Sequence, residues 1–311
     1  MMLLTQPFTP TTPDHLALLR QALDDDANLI ARVQEAFAEE RMQGLCRVLD
    51  GRPIAFTGWR WKDAPPTFAQ LVFLHSEADV TPEPIAALMD DTLAALRETA
   101  EVIEVPSPVA TPAFHAALQA QDFVFFERCT MLRPLAGENL PEAALPPGYT
   151  IMIWGDQHQT QAEHIALAAN APNEIDAVAV PDATGKHLVE ILRNMRIGRY
   201  PGIDRWHAAA SLVVLTPAGD VCGYIATVVA QEMGFVADMA VHPAHRRKGL
   251  ARVLLARSMA ACQLDDLATM GLAVTTRNPA RALYASLGFE AATCGDVAVW
   301  WRDGRQAQWR E

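Results

Sequence analysis

The chain has 311 residues, a formal net charge of −12 at pH 7 and hydrophobic residues at 50% of its positions. This length and apolar content suffice for two domains, each with its own core. The acidic balance argues against a nucleic-acid partner, and the apolar runs are too short and interrupted to span a bilayer. No secretory signal is evident at the N-terminus, so we expect a cytoplasmic protein with no membrane partner.

The five cysteines are scattered along the chain and have no metal-ligand spacing. They are Cys46, Cys129, Cys222, Cys262 and Cys294. We expect all of them to be small buried hydrophobic residues in a reducing compartment, and we expect no metal site.

The first half of the chain is predicted to alternate strands and helices. In chain order it contains a strand at 3–7, helices at 13–23 and 27–41, strands at 45–49, 53–61 and 68–74, a helix at 84–99, a strand at 102–105, a helix at 111–121 and a strand at 123–132. Three prolines within residues 138–148 then disfavour regular structure and indicate a linker. We place the boundary near 145, which predicts domains at 1–140 and 146–311.

The second half is predicted to contain a similar series of elements. In chain order these are a strand at 150–154, a helix at 157–170, a polar stretch at 171–184, a helix at 185–195, strands at 208–215, 221–231 and 235–241, a helix at 249–262, a strand at 271–276, a helix at 279–287 and a strand at 297–302. An antiparallel start followed by alternating strands and helices predicts the α/β class, with a mixed sheet covered by helices.

The two halves share a degenerate internal sequence repeat. Three segments of the first half align with three of the second, in the same order and at a nearly constant offset: 51–57 with 219–225, 68–75 with 235–242, and 113–123 with 279–289. The sequence therefore predicts two domains of one plan.

The most informative segment is 235–256, where an apolar strand passes through a basic turn into an amphipathic helix. Four of the seven residues from Arg246 to Arg252 are Arg or Lys. Cations at a helix N-terminus oppose the helix dipole unless an anion lies there, and Gly249 allows the main chain to approach a ligand closely. The turn therefore indicates a pyrophosphate site, although on this motif alone an exposed, solvated basic turn is an equal alternative.

A second motif follows, in which Asn278 and Tyr284 precede Gly288 and Phe289 after a predicted buried strand. Together with Arg246-x-x-Gly249-x-Ala251, it resembles the GNAT acetyltransferases over the C-terminal half. The resemblance implies two tandem GNAT-like domains with a mixed sheet. Opposite the basic turn, the first half has Asp79, Val80, Thr81 and Pro82, with Glu77 and Glu83 nearby, so this turn is acidic and contains a proline. We therefore expect the first domain to be degenerate, without a coenzyme loop.

The resemblance implies an acetyl-CoA co-substrate bound in a V between two central parallel strands. The backbone of Met239, Ala240 and Val241 would bind the pantetheine arm. The amides of the following turn would hold the pyrophosphate: Arg246, Arg247, Lys248, Gly249, Leu250 and Ala251. Asn278 would bind the coenzyme or, equally, cap the helix that starts at Pro279.

Direct transfer of an acyl group to an amine requires a general acid and a base. Tyr284 is the predicted acid, which would protonate the leaving thiolate; the alternative is a core aromatic residue. Asp238 and Glu232 are the candidate bases, and either of them could instead be only structural. A loop with Asn173, Glu174 and Asp176 lies where the family contacts the acceptor, but a solvated loop is the favoured interpretation.

The sequence thus predicts an N-acetyltransferase that transfers an acetyl or other short acyl group to a primary amine of a small molecule, as a monomer or homodimer. No Cys or Ser stands in a nucleophile motif, so direct attack is expected. Two alternatives stay open: a non-catalytic protein that binds acyl-CoA or acts by interaction, and an acetyltransferase for protein N-termini or lysines.

Overall fold

A computed structural model describes residues 3–62, 66–106, 112–171, 174–183, 185–200 and 202–310. The chain divides into two compact units. Unit 1 consists of Met1–Phe126 and Gly295–Glu311, and unit 2 consists of Glu127–Cys294. These units do not coincide with the predicted ranges 1–140 and 146–311.

Unit 1 contains a sheet in the order β1-β2-β3-β4-β5-β13. Its strands are antiparallel neighbours except β4 and β5, which are parallel. The elements are β1 (Leu3–Pro7), α1 (Pro13–Ala22), α2 (Ala27–Ala38), β2 (Gln43–Leu49), β3 (Arg52–Trp61), β4 (Phe68–Ser76), α3 (Pro82–Arg97), β5 (Val102–Val105), α4 (Pro112–Ala120), the start of β6 (Val124–Pro134) and the end of β13 (Glu290–Trp301).

Unit 2 contains a sheet in the order β6-β12-β11-β10-β9-β7, with β8 beside β10. Among its described strands, β11 and β12 are parallel neighbours and the other pairs are antiparallel, so the sheet is mixed and the predicted α/β class is confirmed. The further elements are β7 (Thr150–Ile153), α5 (Gln159–Ala169), α6 (Ile175–Ala179), α7 (Gly185–Arg196), β8 (Arg205–Trp206), β9 (Leu212–Leu215), β10 (Val221–Ala230), β11 (Met233–Val241), α8 (Leu250–Leu264), β12 (Thr269–Thr275) and α9 (Ala280–Ser286).

The unit boundaries fall inside two strands, β6 and β13. Residues 128–134 of β6 pair with β12, and residues 298–301 of β13 pair with β5. β6, the last strand of the first half of the sequence, thus completes the sheet of unit 2. β13, the last strand of the second half, completes the sheet of unit 1. Prolines after residue 138 mark a change in local structure, whereas strand partners are chosen by tertiary packing, so the linker could not reveal this exchange.

Two cores cover the faces of the unit 2 sheet. On one face α8 packs through Leu250, Leu254 and Met259 with Met239 and Val241 of β11. On the other face α5 and α7 pack over residues that include Trp154, Tyr224 and Ala240. Because successive strand residues point to opposite faces, β11 presents Met239 and Val241 to α8, and presents Asp238 and Ala240 to α5 and α7.

The expectation of five unpaired cysteines is wrong for two of them. Cys129 on β6 and Cys294 on β13 form a disulfide with a sequence separation of 165. Cys46, Cys222 and Cys262 are free and buried. Spacing along the chain gave no sign of the pair because its two strands are brought together only by the fold. Within the described ranges, no helix combines the length and the apolar character needed to cross a membrane.

Candidate functional site

The two parallel central strands of unit 2 separate towards their C-terminal ends. Ladder pairing between β11 and β12 extends only from Gly234–Met270 to Val236–Leu272. β11 nevertheless continues to Val241, still paired with β10 on its other edge. The register with β10 shifts between Ala226 and Thr227, which marks a bulge beside the separation. The edge of β11 that faces β12 beyond Val236 is therefore open to an extended ligand.

The turn after β11 presents backbone amides to the same end of the sheet. Arg247 and Gly249 have left-handed φ angles of +64° and +82°. α8 then begins at Leu250, and the amide of Val253 bonds to the carbonyl of Gly249 at 3.1 Å. The preceding amides have no acceptor within the helix, and a Cβ at Gly249 would meet nothing within 4 Å. The helix start thus has the donors and the space that a phosphate needs.

The three cations of this turn have different surroundings. Arg246 pairs with Glu174 at 3.3 Å. The Lys248 ammonium donates to the Tyr149 hydroxyl at 2.9 Å and lies over its ring. Arg247 is exposed. The amides are therefore the main candidates for contacting an anion, while Arg246 and Lys248 add positive charge from fixed positions.

Asp238 lies on β11 beside the opening and is half-buried. Its Oδ2 accepts a hydrogen bond from the hydroxyl of Tyr224 on β10. Burial, together with the charge of Asp176, raises the pKa of Asp238 to about 6, although the bonds from Tyr224 and from the amide of Met239 act to lower it. A carboxyl with a pKa near neutrality is suited to accept and release protons.

The segment predicted as a solvated polar loop contains the short helix α6, whose residues Ile175 and Val178 are buried. It also carries Asp176 into the site. Asp176 accepts a hydrogen bond from the Thr275 hydroxyl at the end of β12, at 2.7 Å, and another from the amide of Asn278. The spacing of Ile175 and Val178 is the signal that could have indicated a packed helix here.

Tyr284 lies on α9, half-buried, with its ring centroid 6.3 Å from that of Phe289. Burial raises its pKa, and the charges of Asp176 and Asp238 raise it further. The phenol therefore stays protonated over the ordinary pH range.

Two predicted site residues have other surroundings. The Asn278 side chain accepts from the amide of Ala280 at 2.8 Å and donates to Asp176, so its polar atoms have partners within the chain. Glu232 is exposed in the turn between β10 and β11, with φ +62°. At about 3.3 Å per residue it lies roughly 20 Å along the strand from Asp238. The structure does not bring Glu232 to the site, and Asn173 lies outside the described residues.

The corresponding helix start in unit 1 differs in chemistry. α3 has prolines at Pro82 and Pro84, which lack an amide hydrogen, and carries Glu83 between them. The pKa of Glu83 is lowered by its own backbone amide and by the Thr81 side chain. A carboxylate thus lies where a phosphate would bind, which is consistent with the expected loss of a coenzyme loop.

Comparison with known proteins agrees with this architecture. Residues 207–291 match the family model of the acetyltransferase (GNAT) domain. A GCN5-related N-acetyltransferase from Sphaerobacter thermophilus has a similar fold, with a TM-score of 0.60 at 11% identity over 96% of this chain and 95% of that one. A tandem GNAT protein from the clavulanic acid biosynthesis pathway gives a TM-score of 0.53 at 16% identity over 96% and 98%. No curated protein sequence matches significantly.

Residues 207–291 therefore match a GNAT acetyltransferase domain, as the two motifs predicted, and the fold of the chain is similar to that of a tandem GNAT protein. The matched segment contains β11, the basic turn, α8, β12 and α9, which build the opening. Members of this family act with an acyl-CoA and an acceptor.

Proposed function

We propose that the chain transfers an acetyl or other short acyl group from acyl-CoA to a primary amine of a small molecule. The observation that carries this proposal is the coincidence, in unit 2, of separated parallel strands, unsatisfied amides at the start of α8, and two proton-transfer groups, Asp238 and Tyr284, of which the first acts electrostatically on the second. Each feature alone has a structural explanation. Together they supply a binding edge, an anion site and two proton-transfer groups.

The residues present fit acetyl-CoA as co-substrate. The backbone of Met239, Ala240 and Val241 would bind the pantetheine arm along the open edge of β11. The amides from Arg247 to Ala251 would hold the pyrophosphate, where a helix start favours negative charge. When bound, the co-substrate supplies an activated thioester carbonyl.

Two side chains would move the protons. Asp238, in its charged form, takes the proton that the amine must lose as the new bond to carbonyl carbon forms. Tyr284 gives its proton to the sulfur as the carbon–sulfur bond breaks, and exchange with water restores both groups. Glu232 has no role in this scheme because it lies in the turn at the far end of the strand.

Binding is tested by titration calorimetry with acetyl-CoA on the full chain. Gly249→Asp combines a left-handed φ of +82° with a carboxylate in the phosphate position and should abolish binding. Gly51→Asp is the matched control, because Gly51 has φ +89°, lies in the turn between β2 and β3 of unit 1 and likewise has nothing within 4 Å of a Cβ. Equal binding by both variants would remove the anion site from the proposal.

Turnover is tested by thiol release with alkyl amines, diamines, amino sugars and amino-acid esters as acceptors. Tight coenzyme binding without turnover on any amine would favour the alternative of a non-catalytic acyl-CoA-binding protein. Turnover only on peptides would favour a protein acetyltransferase. We keep monomer or homodimer, and a cytoplasmic location, as proposals; sedimentation and the redox state of Cys129 and Cys294 in cytoplasmic extracts test them.

A further inference from the structure

Asp238 is oriented by a residue that no sequence motif indicated. Tyr224 is 0% exposed, and its hydroxyl donates to Oδ2 of Asp238 across the β10–β11 pair. The Tyr224 ring packs against Trp154 with centroids 4.9 Å apart, in the core beneath α5 and α7. A donor that cannot move fixes the direction of its acceptor, so Tyr224 determines where the carboxylate of Asp238 points.

The groups around Asp238 shift its pKa in opposite directions. Tyr224 from β10 and the amide of Met239 from β11 stabilise the charged carboxylate. Asp176, from α6, repels it, and Tyr284, from α9, is coupled to it. In the described part of the chain, no salt bridge links Asp238 to a lysine, arginine or histidine. The hydroxyl of Tyr224 is thus the main side-chain contact that favours the form able to accept a proton.

We propose, resting on the acyl transfer proposed above, that Tyr224 is a positioning residue of the reaction. Its hydroxyl holds the Asp238 carboxylate in one orientation at the opening and keeps it ready to take the proton of the acceptor amine. Tyr224 is fully buried and does not reach substrate, so its whole effect passes through Asp238. This role differs from that of Tyr284, which lies half-buried at the site and donates a proton directly.

The test compares pH profiles of kcat/KM for two variants that should move in opposite directions. Tyr224→Phe keeps the ring and removes the hydroxyl, so the charged carboxylate of Asp238 loses a hydrogen bond. The acid limb of the profile, where kcat/KM falls at low pH, should therefore shift to higher pH by about one unit. kcat should fall about tenfold because the carboxylate loses its fixed orientation. Asp176→Asn removes the neighbouring charge but keeps an oxygen acceptor, so the acid limb should shift down.

Opposite shifts, with unchanged calorimetric affinity for acetyl-CoA, support the proposal, because general loosening of the site would move both variants the same way. An acid limb in Tyr224→Phe equal to that of the wild type overturns it, as do parallel shifts in both variants. If the wild-type chain binds no acetyl-CoA or acetylates no amine, the proposed function fails instead.

A second measurement covers the case in which Tyr224→Phe does not fold. Biosynthetic replacement of the four tyrosines by 3-fluorotyrosine makes each phenol a stronger donor with little change in shape. The acid limb, which reports Asp238, should then move to lower pH. An acid limb that does not move overturns the proposal.

Discussion

Asp238→Asn should make the protein more stable at neutral pH while it removes activity. The pKa of Asp238 rises from 3.8 to about 6 on folding, and each pKa unit corresponds to about 1.36 kcal/mol. A group whose pKa is raised by folding stabilises the folded state at pH values below its unfolded pKa. This stabilisation is lost as pH rises through the folded pKa. The titration of Asp238 should therefore lower the free energy of unfolding of the wild-type chain by about 2 to 3 kcal/mol between pH 4 and pH 8. Asp238→Asn cannot titrate, so this loss should be absent from the variant.

The assay is urea unfolding of the wild type and Asp238→Asn at both pH values. Asparagine keeps an oxygen that accepts the Tyr224 hydroxyl, so the variant tests charge with little change in packing. Glu232→Gln is the matched control: the residue is exposed, and its effect should stay within about 0.5 kcal/mol at either pH. Turnover of Asp238→Asn should fall about 10²- to 10⁴-fold. A stability difference between Asp238→Asn and wild type that is the same at both pH values would refute the reasoning. Loss of activity in Glu232→Gln would instead assign the role of general base to Glu232.

Three further outcomes follow from the site and the fold. Tyr284→Phe should lower kcat by about 10²- to 10⁴-fold with the affinity for acetyl-CoA unchanged, and normal turnover would remove Tyr284 from the mechanism. Calorimetry should give one acetyl-CoA per chain, because the start of α3 holds Glu83 between two prolines; a stoichiometry of two would contradict this. Thiol titration of the denatured, unreduced protein should find three free cysteines, whereas five would show that Cys129 and Cys294 are not bonded.

The basic turn before α8 could be recognised from sequence because its determinants are local. A strand, a glycine and a cluster of cations within a few residues indicate a candidate anion site, and the second motif around Asn278 and Tyr284 strengthens that interpretation. Alternation along β11 likewise accounts for Asp238 facing away from Met239 and Val241. The mixed sheet followed from the order of the elements.

The rest of the site depends on contacts between distant segments. Asp176 is on a short helix inside a polar stretch, and only its bonds to Thr275 and Asn278 reveal its place. Tyr224 lies in a strand that is buried along nearly its whole length, so no pattern distinguished it from core. The exchange of β6 and β13, and with it the Cys129–Cys294 bond, depends on strand pairing, which no local propensity encodes.

Hydrogen exchange with and without acetyl-CoA tests the central claim most directly, because that claim concerns backbone amides. Saturating acetyl-CoA should slow exchange in peptides that cover 237–252, where the open edge of β11 meets the start of α8. Peptides that cover 72–84, the corresponding segment of unit 1, should exchange at the same rate in both conditions. Protection at 72–84, or unchanged exchange at 237–252 with acetyl-CoA bound, would contradict the assignment of the coenzyme site.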